Sequence, residues 1–399
     1  MAENRQFLKR ENTLLLGGPA SARVVDGEVE VFGHRPKKGE TLISRPWRVL
    51  PIHALTDTVL ELSLGAGHSL RIVEEDTIPD SWRSLSERIG IYSRVMVIGG
   101  VDSGKTSLVT FLHNQAVKKG IPTIIFDLDI GQSDICPPTT MANSGLYFKT
   151  VPSLHLIRPD KIYPVGYTSP SYNPKEALDK ARLLLRVEEK RCVLINTDGW
   201  VGEGAADWYK ASLVDSAIPS HVVLLGAESG PLLNDAIAKS GAEVIKLDVP
   251  KMVSPRNHEA RRLIREMNYA RFLRGASLKT IPLSWISFKI LEQEGENYPS
   301  ITDYLNDVVL DIEKCGCAAS KKIIGHEGYD LSDIGIGLIS YVLSENDTVS
   351  SLALFMGIDP KKQIARIYTP YNDTIKRLAI GGVILSSTFE ELHVYRQRV

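Results

Sequence analysis

Over 399 residues, 43% apolar and 24% charged side chains make an ordinary globular composition, long enough for two or three domains. The formal net charge of −1 excludes a chain drawn to nucleic acid by its overall charge, so any such site must be a local patch. No apolar run approaches the roughly 20 residues that span a bilayer, and Met1–Asn12 lacks the apolar stretch of a signal peptide. The four cysteines, Cys136, Cys192, Cys315 and Cys317, read as reduced thiols of a cytoplasmic protein.

Residues 13 to about 75 alternate apolar and polar side chains in short runs such as Val29-Glu30-Val31-Phe32 and Val59-Leu60-Glu61-Leu62, broken by Asp26-Gly27 and Gly65-Ala66-Gly67. That period predicts half-buried strands, hence a small N-terminal β-sandwich or barrel domain over residues 1–88, closed by a short helix capped by Asp80 or Ser81. From Arg94 the pattern changes. Val95–Ile98, Thr123–Phe126, Val193–Ile195 and Val222–Leu225 are continuous apolar runs of the kind buried on both sheet faces. Helical stretches are predicted between them at Lys105–Lys119, 174–190 and Gly230–Ser240. Alternation of this kind predicts an α/β domain with a parallel sheet over 89–284, ending in one basic helix, Arg256–Arg274. Runs such as Gly335–Val342 and Gly381–Leu385 then predict a mainly β C-terminal domain over 285–399.

Gly99-Gly100-Val101-Asp102-Ser103-Gly104-Lys105-Thr106 matches G-x-x-x-x-G-K-[ST] in full, after a buried strand and before a helix. The glycines let backbone N–H groups turn in around phosphate oxygens, and the helix N-terminus adds its dipole. With Ser107 adjoining, the loop is expected to hold ATP, Lys105 reaching the β- and γ-phosphates and Thr106 ligating Mg2+. Asp127 and Asp129 end the next buried strand, where a Walker-B carboxylate belongs; one would orient the Mg2+ shell and the other accept a proton from an attacking hydroxyl. No N-K-x-D or T-K-x-D run is present to read guanine.

The P-loop is followed in order by Asp127-Leu128-Asp129-Ile130-Gly131-Gln132, Pro137-Pro138, Gly166-Tyr167-Thr168-Ser169-Pro170 and Asn196-Thr197-Asp198-Gly199-Trp200-Val201. Together these resemble the polynucleotide 5′-hydroxyl kinases of the Clp/Grc family. That family includes a subunit of the mRNA 3′-end cleavage machinery, a ribosomal-RNA-processing kinase and archaeal single-protein members; the last are the most similar in length. The resemblance covers about residues 14–280. It implies that Asp129 is the base or metal residue and acts with Lys105 and Thr106. It also implies that Gln132 lies near the reacting phosphate, and that Thr197, Gly199 and Trp200 form a clasp whose tryptophan stacks on the terminal base. The N-terminal domain would help hold the adenine.

Several readings stand beside the resemblance. A tryptophan on the strand-end rim offers a sequence-indifferent stacking face, although a packed core ring is the alternative. Trp208 and Tyr209 fit either role. Residues 251–274 carry a net +5, and Arg261, Arg262 and Arg265 are expected to form a lid that neutralises the moving phosphoryl group, or else a solvated face. Thr168 and Ser169 are expected to hold substrate phosphate, a plain turn being the alternative. The nine histidines form no metal-spaced cluster. The sum is a kinase that transfers the ATP γ-phosphate to the 5′-hydroxyl of RNA, with DNA left open and protein partners unspecified. The rival readings are an ATP-holding structural subunit with little turnover and a small-molecule P-loop kinase.

Overall fold

The structure, a computed structural model, describes residues 5–186, 191–252, 255–291, 300–315 and 329–395. Eight strands open the chain: β1 (Arg5–Leu8), β2 (Thr13–Gly17), β3 (Ala20–Asp26), β4 (Val29–Glu30), β5 (Thr41–Ser44), β6 (Val49–Ala54), β7 (Thr58–Leu64) and β8 (Ser69–Val73). They form two antiparallel sheets, β1-β7-β3-β5 and β4-β6-β2-β8. The alternating residues Leu14, Leu16, Ala22, Val24, Leu60 and Leu62 meet in a shared core. The predicted sandwich is therefore present, and period-two patterning is why it is readable.

The central layer follows: α1 (Asp80–Arg88), β9 (Arg94–Gly99), α2 (Lys105–Lys118), β10 (Thr123–Asp127), β11 (Thr140–Tyr147), β12 (Lys161–Pro164), α3 (Pro174–Leu185), β13 (Cys192–Asn196), α4 (Ala205–Ala217), β14 (His221–Leu225), α5 (Pro231–Ser240) and β15 (Glu243–Leu247). The sheet runs β12-β11-β10-β13-β9-β14-β15. Its five strands from β10 to β15 are parallel. The expectation of a purely parallel sheet is corrected at one edge, where β11 and β12 run antiparallel. Helix α3 ends at Leu185; the rest of the predicted 174–190 helix, from 187, lies outside the described residues.

The last part holds α6 (His258–Phe272), β16 (Ser277–Pro282), β17 (Ser287–Ile290), α7 (Ile301–Lys314), β18 (Ile336–Leu343), β19 (Val349–Asp359), β20 (Ile364–Thr369), β21 (Arg377–Ser386) and β22 (Glu391–Val394). The sheet order is β16-β20-β19-β18-β21-β17, with β22 on β21. Helix α7 covers one face through Tyr304, Leu305, Val308 and Ile312. The end of α6, through Tyr269 and Leu273, covers the other. Packing draws the seams a little differently from 88/89 and 284/285. Trp82 and Leu85 of α1 sit in the core of the central sheet, and β16 already pairs with β20.

Side-chain ties lock the sandwich to the centre. Asn114 of α2 donates to Phe32 O (2.7 Å), while Arg45 and Arg48 converge on the buried Asp134 at 2.6 and 3.0 Å. Cys136 and Cys192 are free and buried. The expectation of four reduced thiols is corrected at Cys315, which is disulfide-bonded at the end of α7; Cys317 lies outside the described residues.

Candidate active site

The carboxyl ends of β9, β10 and β13 open onto a cleft of about 1340 Å³, roofed by the sandwich and by α6. This is the rim at which open α/β sheets bind ligands. The loop from β9 to α2 needs left-handed backbone at Asp102 (φ 57°) and Gly104 (φ 96°). Gly104 caps α2 without a side-chain hydrogen bond, so no side chain covers the amides of the first turn. Val101, Asp102, Ser103, Gly104, Lys105, Thr106 and Ser107 line the cleft. Gly99 and Gly100 stand behind, and their carbonyls accept Lys105 Nζ at 2.9 and 2.7 Å. Burial lowers the ammonium pKa of Lys105, opposed by the nearby Asp129.

Asp127 and Asp129 part company here. Asp127 faces away from the cleft into a donor shell: Ser133 Oγ (2.9 Å) and the amide of Asp134 (3.0 Å) on Oδ2, Asn196 Nδ2 (3.0 Å) on Oδ1. Burial, then the carboxylates of Asp129 and Asp134, push its pKa up to about 6. Asp129 lines the cleft. Its Oδ1 accepts the amides of Gly131 (3.1 Å) and Gln132 (2.9 Å), while Oδ2 takes no hydrogen bond from a described residue. Burial raises its pKa too, and Lys105 pulls against the rise.

The loop after β13 presses directly on the P-loop. A Cβ on Gly199 would stand 2.6 Å from Val101 Cγ2 and 2.9 Å from its backbone N, so only glycine fits. Trp200 lines the cleft beside it, its ring 5.8 Å from that of Tyr209. Tyr209 is fully buried and packs under Trp200, whereas Trp208 is partly exposed. Thr197 is not brought to the cleft: its hydroxyl donates to Val97 O at 2.8 Å and it is wholly buried. Thr168 and Ser169 do line the cleft. Ser169 Oγ also caps a short 3₁₀ turn by accepting from Ser171 N.

The lid differs most from expectation. Helix α6 starts at His258 because the Asn257 side chain caps it by accepting from Ala260 N (2.8 Å), which leaves Arg256 in the extended lead-in. Arg256 donates its amide (2.9 Å) and Nε (2.7 Å) to Asp102 of the P-loop, and a second guanidinium nitrogen also reaches that carboxylate. Arg261 joins at 3.3 Å and donates to Arg256 O at 2.7 Å. Burial favours a neutral Asp102, but the amide and guanidinium of Arg256 outweigh it and hold the carboxyl below its usual range. Arg265 is committed elsewhere, in a two-pronged pair with Glu391 of β22 at 2.6 Å on each prong. Arg262 lies off the cleft and pairs with Glu266 at 3.4 Å. Gln132 reaches the lid backbone, donating to Arg261 O at 3.1 Å.

Sequence reasoning missed Arg256, Glu391 and the buried Lys210 beneath Asp198. The capping asparagine at 257 is the one local signal that would have set Arg256 apart from the helix.

Residues 99–275 match the family described as the mRNA cleavage and polyadenylation factor CLP1 P-loop. A polyribonucleotide 5′-hydroxyl kinase of Thermococcus kodakarensis is 28% identical, over 80% of this chain and 97% of its own. The corresponding kinase of Pyrococcus furiosus is 25% identical, over 76% and 90%. A CLP1 homolog of Arabidopsis thaliana is 30% identical over 69% of each chain. Among solved structures, wild-type Clp1p in complex with Pcf11p superposes with a TM-score of 0.71 over 99% of this chain and 98% of that one, at 13% identity. That superposition speaks for the fold alone.

Proposed function

The chain belongs to the Clp1 family, and from that premise we propose that it is an ATP-dependent polynucleotide kinase that phosphorylates the 5′-hydroxyl end of RNA. The observation that carries the reading is a single cleft lined by the P-loop lysine, an aspartate with an uncommitted oxygen, a tryptophan face and three arginines of a lid, Arg256, Arg261 and the Glu391-paired Arg265. ATP phosphates lie along the amides at the start of α2. Lys105 exchanges the carbonyls of Gly99 and Gly100 for β- and γ-phosphate oxygens. Arg256 and Arg261 exchange Asp102 for the oxygens of the moving phosphoryl group. Such arginines are worth about 10³ to 10⁵ in rate where measured.

The 5′-oxygen, set in place by Trp200 stacking on the terminal base and by Thr168 and Ser169, attacks the γ-phosphorus in line. The new O–P bond forms as the bond from γ-phosphorus to the bridging oxygen breaks, ADP leaves, and the hydroxyl proton passes to Asp129 Oδ2. Among the described residues no group of three or more His, Cys, Asp or Glu side chains is placed to hold a metal by itself. The Thr106 hydroxyl would hold Mg2+ directly, and Asp129 would meet it only through a water of its shell, so that Oδ2 stays free to take the proton. When bound, Mg2+ neutralises charge on the phosphates. We assign the reaction to the cytoplasm; among the described residues no helix is long and apolar enough to cross a membrane.

Labelled ATP mixed with matched 5′-hydroxyl RNA and DNA oligonucleotides tests the reading. Label is expected on the RNA end, and the DNA arm measures the demand for a 2′-hydroxyl. Binding of ATP with no transfer to either strand would return the protein to a structural nucleotide-binding role. Label on free nucleosides alone would make it a small-molecule kinase.

A further inference from the structure

Lys210 is a lysine with almost no access to water: its side chain is 2% exposed, and it stands on the inner face of α4. Burying an ammonium is costly unless a partner and hydrogen bonds meet it. Both do, and both come from Asp198. Lys210 Nζ donates to Asp198 Oδ2 at 2.7 Å and to Asp198 O at 3.2 Å. The other carboxylate oxygen, Oδ1, accepts the backbone N–H of Trp200 at 2.8 Å. A chain of contacts thus runs from the helix core through one carboxylate to the backbone of the tryptophan on the cleft.

Two neighbours of that tryptophan are held by contacts of their own. Thr197 is tied to Val97 O, and Gly199 is wedged on Val101. The ring of Trp200 rests on Tyr209, the residue before Lys210. The angle at which the indole meets a base then has two supports, Tyr209 below the ring, on the turn of α4 that carries Lys210, and Asp198 at its backbone, which Lys210 holds from that turn. An apolar side chain at 210 would fill the same space but would leave the buried Asp198 without its hydrogen-bonded cation, with only the field of Lys105 to offset its charge. Its carboxylate would turn to the water of the cleft and release the Trp200 amide.

We propose that Lys210, acting through Asp198, is a positioning residue for the stacking face of Trp200 and so governs acceptor binding more than nucleotide binding, which the pair reaches only through the field it shares with Lys105 and Asp129. The inference rests on the kinase reading above for the identity of the acceptor. Its test is equilibrium binding, so that it stands apart from the label-transfer assay. The Kd of a fluorescent 5′-hydroxyl RNA oligonucleotide and the Kd of ATP are measured on the full chain. Lys210→Met is expected to raise the RNA Kd about tenfold, within the range one stacked base contributes, and to leave the ATP Kd within about twofold. In a Trp200→Ala background, Lys210→Met is expected to add nothing further, because both changes remove the same contact. The pair D198A/K210M leaves no lone charge in the core and also removes the acceptor of the Trp200 amide. It serves the same comparison if Lys210→Met alone fails to fold, and the same tenfold rise is expected. An unchanged RNA Kd, equal losses of RNA and ATP, or an additive loss in the Trp200→Ala background would each overturn the positioning role, while transfer by the wild-type protein would still support the kinase.

Discussion

The P-loop and the lid stand face to face across one cleft, yet they are made in opposite ways. The P-loop is eight consecutive residues whose shape is backbone: two left-handed turns at Asp102 and Gly104 and the first amides of α2. Its glycine spacing is local, although Gly199 and Arg256 press on it from far along the chain. The lid is a helix whose arginines take their roles from partners far along the chain, Asp102 for Arg256 and Arg261, and Glu391 for Arg265. Four arginines of one sequence segment thus meet three fates: two over the phosphate loop, one locked to the C-terminal sheet, one in solvent with Glu266. On the proposed reading, holding phosphate would be a local property of this fold and neutralising it in transfer a tertiary one.

That contrast can be broken by substitution. The largest effect belongs to the local half: Lys105→Ala is expected to reduce label transfer to background with an unchanged melting temperature, and near-normal turnover would detach the P-loop from the chemistry. In the lid, Arg256→Ala is expected to lower kcat about 10³-fold, against less than twofold for Arg262→Ala; equal effects would mean that position over the P-loop is irrelevant. Glu391→Ala leaves Arg265 buried without its partner and is expected to cost about 3 to 5 kcal/mol of stability by chemical denaturation, the usual result of halving a buried pair. An unchanged stability would show that the lid does not need the C-terminal sheet.

The smallest effect concerns Asp127, whose carboxyl is pushed up by burial to about 6 in the folded protein, against 3.8 for an ordinary aspartate. Between those values the folded protein keeps a proton that the unfolded chain has lost, so stability from this group is present at low pH and falls as pH rises through the window. The wild type is therefore expected to gain on Asp127→Asn at pH 4 relative to pH 7, by on the order of 1 to 3 kcal/mol, in melting curves across that range. A pH-independent gap would place the carboxyl at its ordinary value.

What the sequence discloses follows the same division. The P-loop, the buried parallel strands and the sandwich were legible because each is dictated by neighbours in sequence: glycine spacing, apolar runs, alternation. Strand β11 escaped because its first five residues, Thr140–Ser144, are buried alike and show no alternation. Helix α4 escaped because most of its circumference is buried, including Lys210, a residue type whose presence argues for solvent. In the site, Asp129, Gln132, Gly199, Trp200 and Arg261 were in view, and the cleft gathers them. Spacing of four put Arg261 and Arg265 on one helical face but could not show that Glu391, 126 positions away from Arg265, would claim the second. Thr197 reads as a clasp hydroxyl in sequence and turns out to be spent on the carbonyl of a neighbouring strand.

The loop that carries Thr168 and Ser169 begins at Gly166, and there two polypeptide backbones touch. A methyl group on Gly381 of β21 would lie 2.6 Å from the Cα of Gly166, and Gly382 N–H donates to Gly166 O at 3.0 Å. With no side chain between them, this seam can neither slide nor accept a larger residue, so loop and C-terminal sheet must travel as one piece. If Thr168 and Ser169 hold the acceptor as proposed, the sheet is the anvil of that side. A fragment trimmed to the nucleotide-binding layer would keep its grip on phosphate and lose the firm edge against which an incoming strand end is set.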